Sequence, residues 1–266
     1  MYFSEEWLTN KIASASSDEE RMMSIMAFVN SASDYMNDYC KLLCQELTLK
    51  AERENDNGIR AFVEVHSGYS HLWQGNIEQY SVHMRNAEKL ALIAPASIGG
   101  NVSLQMCAFM YWNSGEREKA FELAYHARNQ VVGIDGEGMG WSDFQLAVFH
   151  SDLKDYETAK NYFLAAEKNA EGKINLVYQL ARIRSGLGGI AIAQNDIETA
   201  LRYNEFALNG YRECGHLTAL SRALNDLGVI YFRQGDVARA KENLNEALDI
   251  RRKTKYTPGL ITSEIE

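Results

Sequence analysis

Apolar residues recur along this chain at steps of three and four, the spacing of one buried face of an α-helix. Met22, Ile25, Met26 and Val29 form one such stripe, and Tyr39, Leu42, Leu43 and Leu47 the next. Further on, small residues enter the stripe at fixed places. The clearest stretch has Leu227, Gly228 and Tyr231, a Gly235-Asp236 turn, then Ala240, Leu244 and Ala247. That is the pattern of two antiparallel helices, in which small residues permit close approach and large ones fill the spaces between.

The pattern repeats backwards through the chain. Leu187, Gly188, the turn Asn195-Asp196, Ala200 and Ala207 form one unit. Leu146, Ala147, the turn Lys154-Asp155, Ala159, Phe163 and Ala166 form another. Ala108, Tyr111, Gly115, Ala120, Ala124 and Ala127 precede these. Gly68, His71, the turn Gly75-Asn76, Tyr80, Met84 and Ala87 come first. The second-helix anchors Tyr80, Ala120, Ala159, Ala200 and Ala240 are thus spaced by 40, 39, 41 and 40 residues.

The Leu-Gly pair, the aromatic residue three positions on, and the small-large-small second helix resemble the tetratricopeptide repeat. The period of about 40 residues is longer than that family's usual one. It is similar to the repeats of bacterial intracellular peptide receptors and regulatory modules. The resemblance implies an all-α, right-handed superhelical solenoid of antiparallel helix pairs in one continuous domain. Departures occur at Ser67, which stands for the leucine of the pair, and at Tyr80, which stands for the first small residue. The units fall at about 57–96, 97–136, 137–176, 177–217 and 218–254. Residues 1–16 form a leading segment and 17–56 a degenerate capping pair, as solenoid ends are commonly atypical. Residues 255–266 begin a further helix or a C-terminal cap, because Pro258 suits a first helical turn.

In the resembling family the first helix of each pair lines a groove. Carried onto this chain, the groove residues are Phe62, Tyr69 and Trp73, then Gln105, Phe109, Trp112 and Asn113, then Trp141 and Phe144. They continue with Arg182 and Gly189, and with Arg222, Asn225, Phe232 and Arg233. Aromatic and arginine side chains are frequent anchors of binding sites, and large exposed apolar patches mark interaction surfaces. Two readings stay open for the aromatic residues: a lined groove, or tight winding in which they pack on the neighbouring unit. Gly189 either leaves a hollow in the groove floor or makes a second close helix contact.

Composition narrows the partners. Lys and Arg number 27 against 36 Asp and Glu, a net charge of -9. Such a surface repels phosphate backbones, so nucleic acid is not an expected direct partner. No apolar run is long enough to span a membrane, and the first residues lack the basic and apolar regions of a secretory signal. Four cysteines in 266 residues are too few for a disulfide-stapled scaffold, which suits a cytoplasmic setting. Arg251, Arg252 and Lys253 read as helix C-terminal charges.

Catalytic and metal chemistry find no support. Cys40 and Cys44 lie one helical turn apart without a second metal-like pair. Cys214 and His216 are near neighbours with no orienting acid. The loop of Gly133, Asp135, Gly136, Glu137, Gly138 and Gly140 lacks the calcium-loop spacing. The expected function is therefore a protein- or peptide-binding adaptor or regulator that is no enzyme and needs no cofactor or metal. The alternative is the sensing region of a larger signalling protein with its output domain beyond residue 266. Homodimerisation through the solenoid ends is a further expected partnership.

Overall fold

The computed structural model describes residues 5–32, 37–130, 137–170 and 177–254. The segment 255–266 and residues 133–136 of the loop from Gly133 to Gly140 lie outside the described residues, as do the side chains of 137–140 and of Trp73. The described residues form thirteen helices and no strand. They are α1 (Glu5–Ser14), α2 (Asp18–Ala32), α3 (Asn37–Glu54), α4 (Asn57–Trp73), α5 (Ile77–Ile93), α6 (Ile98–Ser114) and α7 (Arg117–Asn129). There follow α8 (Glu137–Asp152), α9 (Tyr156–Ala170), α10 (Val177–Ala193), α11 (Ile197–Cys214), α12 (Leu217–Arg233) and α13 (Val237–Thr254). Contacts divide the chain into an N-terminal unit, residues 3–149, and a C-terminal unit from His150 onwards. Each unit is all-α and built from stacked helical hairpins.

Four of the turns between paired helices share one chemistry, and the α6–α7 turn keeps only half of it, a left-handed Gly115 followed by Glu116 without a side-chain cap. A residue in the left-handed region ends the first helix, and a short polar residue caps the second. Gly75 and Gly235 take φ of 78° and 81°, and Asn195 takes 59°. The next residue in each case, Asn76, Asp236 or Asp196, accepts a hydrogen bond from the backbone N–H three positions on. Lys154 and Asp155 do the same with φ of 63° at the lysine. The sequence turns therefore fall where local backbone chemistry requires them.

Small residues set the distance between helices. Ala120, Ala159 and Ala200 are fully buried, and Ala240 nearly so. A Cβ on Gly228 would stand 2.7 Å from Leu244 Cγ, and one on Gly188 2.3 Å from Asn204 Nδ2. Asn204 cannot readily yield, since it is buried and donates to the Ala200 carbonyl at 2.9 Å. Gly189, one residue on, meets nothing within 4 Å. Gly188→Ala is therefore expected to destabilise by about 1–3 kcal/mol through overpacking. Gly189→Ala is expected to stabilise by up to about 1 kcal/mol through helix propensity. Paired denaturant titrations read both, and equal effects would refute this account of the two glycines.

Two tyrosines tie a hairpin to the one before it. Tyr111 of α6 donates to Glu88 of α5 at 2.6 Å, and Lys119 of α7 meets the same carboxylate at 3.1 Å. Tyr231 of α12 donates to Glu205 of α11 at 2.9 Å, with the Arg239 guanidinium 5.4 Å from its ring. The corresponding position in the α10 hairpin is Ala191, which has no hydroxyl. There α10 is tied to α9 by Arg184 and Glu167 at 2.8 Å.

Candidate functional site

In the N-terminal unit the aromatic stripe is largely spent on packing. Phe62 is 0% exposed, with its ring 4.4 Å from that of His66. Tyr69 is half-buried and packs edge-on against Tyr80 at 5.7 Å. Trp112 stacks on Phe149 of α8 at 4.2 Å, and Phe109 meets the same ring edge-on at 5.5 Å. Arg117 lies 5.3 Å from the Trp112 ring centre. Phe144 is buried and receives Trp141 edge-on at 5.8 Å. Gln105 is buried too, donating to Asn101 Oδ1 at 2.6 Å and to Ser142 Oγ at 3.2 Å. Phe62, Phe144 and Gln105 are thus packing residues where an open lining was expected. For α6 the reason is winding, since Phe109, Trp112 and Gln105 turn onto Phe149 and Ser142 of α8. Among the expected residues described here, Asn113 alone is well exposed in this unit.

The C-terminal unit differs. Along α10 and α12, Gly189, Arg222, Phe232 and Arg233 are exposed, and Arg182, Ile192, Asn225 and Val229 are half-buried. Phe232 is 67% exposed, which is high for a large aromatic ring. Asn225 accepts a long hydrogen bond from Arg251 of α13 at 3.5 Å. Gly189 adjoins open space, which removes the second-contact reading.

Two residues outside the expected set shape one end of this face. Tyr178 stacks on His216 at 4.5 Å with the rings 8° from parallel, and Arg182 sits 5.8 Å over the Tyr178 ring. His216 caps α12, its Nδ1 accepting from the Ala219 N–H at 3.3 Å. Burial, then Arg182 and Arg222, lower its pKa to about 4, so the ring is neutral at pH 7. The sequence signal for Tyr178 was its place one helical turn before Arg182.

A separate cleft of about 360 Å³ opens on α11, α12 and α13. Several of its polar groups already serve one another, Arg212 bridging to Glu246 and Glu205 accepting from Tyr231. The face of α10 and α12 is therefore the stronger candidate.

Nucleophile and metal chemistry are poorly served. Burial pushes the Cys44 and Cys107 thiols up to about 12 and raises Cys214 as well. Among the described residues no group of three or more His, Cys, Asp or Glu side chains is placed to hold a metal ion. No helix among them is long and apolar enough to cross a membrane.

Stacked hairpins with small-residue contacts define a helical-repeat protein. Residues 144–171 and 179–253 match family models of the tetratricopeptide repeat. Repeats of this kind serve in general as protein-interaction modules. No curated protein matches the sequence. The fold is similar to a Rap protein solved in complex with competence and sporulation factor, at 15% identity over 97% of this chain and 74% of that one, TM-score 0.70. It is similar to aspartyl phosphate phosphatase F from Bacillus subtilis, at 16% identity over 96% and 70%, TM-score 0.63. BtubC (BKLC) from P. vanneervenii aligns at 17% identity over 93% and 92%, TM-score 0.55.

Proposed function

We propose that the chain is a non-catalytic adaptor or regulator that takes an extended peptide or protein segment across the face of α10 and α12. The observation that carries this reading is the contrast between the two stripes. Aromatic residues of α4, α6 and α8 are packed, whereas Phe232, Arg222, Arg233 and the open space over Gly189 remain free to meet a partner. Exposed aromatic and guanidinium groups together favour binding over mere solvation. The Rap protein was solved with a bound factor, so a similar fold holds a ligand in that protein.

The test is selection of displayed random peptides on the intact chain, followed by titration against single-site variants. Phe232→Ser and Arg222→Glu should each weaken the selected peptides by at least about tenfold, the scale of one lost anchor. Trp112→Phe, on the other stripe, should leave affinity unchanged. Selected peptides indifferent to both α12 variants would sink this reading.

A further inference from the structure

Two leucines of α3 lie open, although the helix has a well-buried apolar side. Leu43 and Leu47 are buried, whereas Leu42 is 61% and Leu49 69% exposed. The open pair stand seven residues apart, close to two full turns, so they share one face. Along the axis they are about 10 Å apart at the rise of an α-helix.

Exposed leucines are common on protein surfaces, and a pair of them alone implies nothing. What singles out this pair is its charged frame. Asp38 stands four residues before Leu42, and Arg53 four residues after Leu49. Lys41 precedes the first leucine directly, and Glu52 follows the second by three. The Asp38 side chain is fully exposed and that of Arg53 73% exposed. Their ion pairs lie within the helix and are loose, Asp38 to Lys41 at 3.6 Å and Arg53 to Glu54 at 4.0 Å. Exposed pairs of that kind contribute little, so these charges are available to a partner.

The face is complementary to itself. Read forwards from Asp38, its order is acid, base, leucine, leucine, acid, base. Read backwards from Arg53, it is base, acid, leucine, leucine, base, acid. An α3 laid antiparallel on a second copy, with a two-fold axis between residues 45 and 46, sets Leu42 against the partner's Leu49. The same symmetry sets Asp38 opposite the partner's Arg53 and Lys41 beside the partner's Glu52, and repeats every contact at the other end. Glu46 falls near that axis and would meet its own copy, but Arg21 already neutralises it at 2.5 Å. A parallel pairing would put Asp38 on Asp38 and Arg53 on Arg53, like charges that oppose association.

We propose that α3 is a self-recognition surface, on which two copies of this chain pair antiparallel through Leu42 and Leu49 with Asp38 and Arg53 closing the ends. The surface is independent of the peptide-binding role proposed above, which uses α10 and α12. One helix of 18 residues from each copy makes a small interface, so the pairing is weak and transient. Charge complementarity sets its register.

Sedimentation velocity of the full chain, from about 1 μM to about 0.5 mM, covers the range of weak association. Salt at about 0.15 M screens the repulsion between two chains of net charge -9. The wild-type chain should pass reversibly from monomer to dimer at the upper end, and the Leu42→Glu, Leu49→Glu double variant should stay monomeric. Asp38→Arg and Arg53→Asp should each weaken self-association at least about tenfold, because each sets like charges at both ends. An equimolar mixture of these two single variants should associate as the wild type does, since each supplies the charge the other has lost. All the altered sites are exposed, so circular dichroism and thermal unfolding should stay close to wild type. A wild-type chain that is monomeric throughout would overturn the proposal. So would a dimer indifferent to the leucine changes, or a mixture that associates no better than its two components.

Discussion

Lowering the pH from 7 to 4 should remove about 3 kcal/mol of stability from each unit, at about 1.4 kcal/mol per pH unit in each. The cause is one buried neutral histidine in each. His66 in α4 is 8% exposed, with Phe62 against its ring and neither ring nitrogen hydrogen-bonded among the described residues. Burial lowers its pKa from 6.5 to about 4. His216 is lowered from 6.5 to about 4 by burial and then by Arg182 and Arg222. In the unfolded chain both rings take up a proton near pH 6.5, while the folded chain refuses it until about pH 4. The unfolded state therefore binds more protons in this window, so stability is full above about pH 6.5 and declines as pH falls. Denaturant midpoints measured from pH 7 to 4 read the slope. His216→Asn keeps a capping oxygen and His66→Leu keeps an apolar filling; each should remove the titration of one proton. An unchanged slope in either variant would rule out that histidine as the source.

Replacing Arg128 by alanine should destabilise the N-terminal unit by about 3–5 kcal/mol, and replacing its partner by asparagine should cost distinctly less. Arg128 of α7 donates from Nε to Asp143 Oδ1 of α8 at 2.6 Å. The two ends of this pair are not equivalent: the Asp143 side chain is 1% exposed, the Arg128 side chain 37%. Without the guanidinium, a carboxylate is stranded away from water and must be neutralised or solvated at the expense of the fold. Without the carboxylate, the arginine can turn outwards. Thermal and denaturant unfolding of Arg128→Ala beside Asp143→Asn decide the matter. The order of the two effects is the diagnostic, and a larger loss for Asp143→Asn would contradict it.

Local chemistry made the hairpins readable in the sequence. Gly75-Asn76, Asn195-Asp196 and Gly235-Asp236 carry their turn instructions in two adjacent residues. Ala120, Ala159, Ala200 and Ala240 report a close helix contact at each anchor. The direction of the aromatic stripe was less legible, because it depends on how one hairpin winds onto the next. Phe62 and Phe232 both read onto the groove stripe, yet one is buried and the other lies open. Phe149 decides the fate of Trp112 from thirty-seven residues away in sequence, which no local pattern announces. The helix α1 was not anticipated either. It has a single fully buried anchor, Leu8, although Glu5 and Glu6 in its first turn and Lys11 in its last match the helix dipole.

The raised thiol pKa values bear on how this protein can be labelled. Thiolate is the reacting species, and a group with a pKa near 12 is ionised to about one part in 10⁵ at pH 7. Cys44 and Cys107 are in that state, and Cys40 and Cys214 are enclosed by the fold. A single cysteine introduced at exposed Arg233 would outcompete all four for a maleimide dye. The native cysteines can therefore remain in place while a fluorophore at the edge of α12 reports whatever settles beside it.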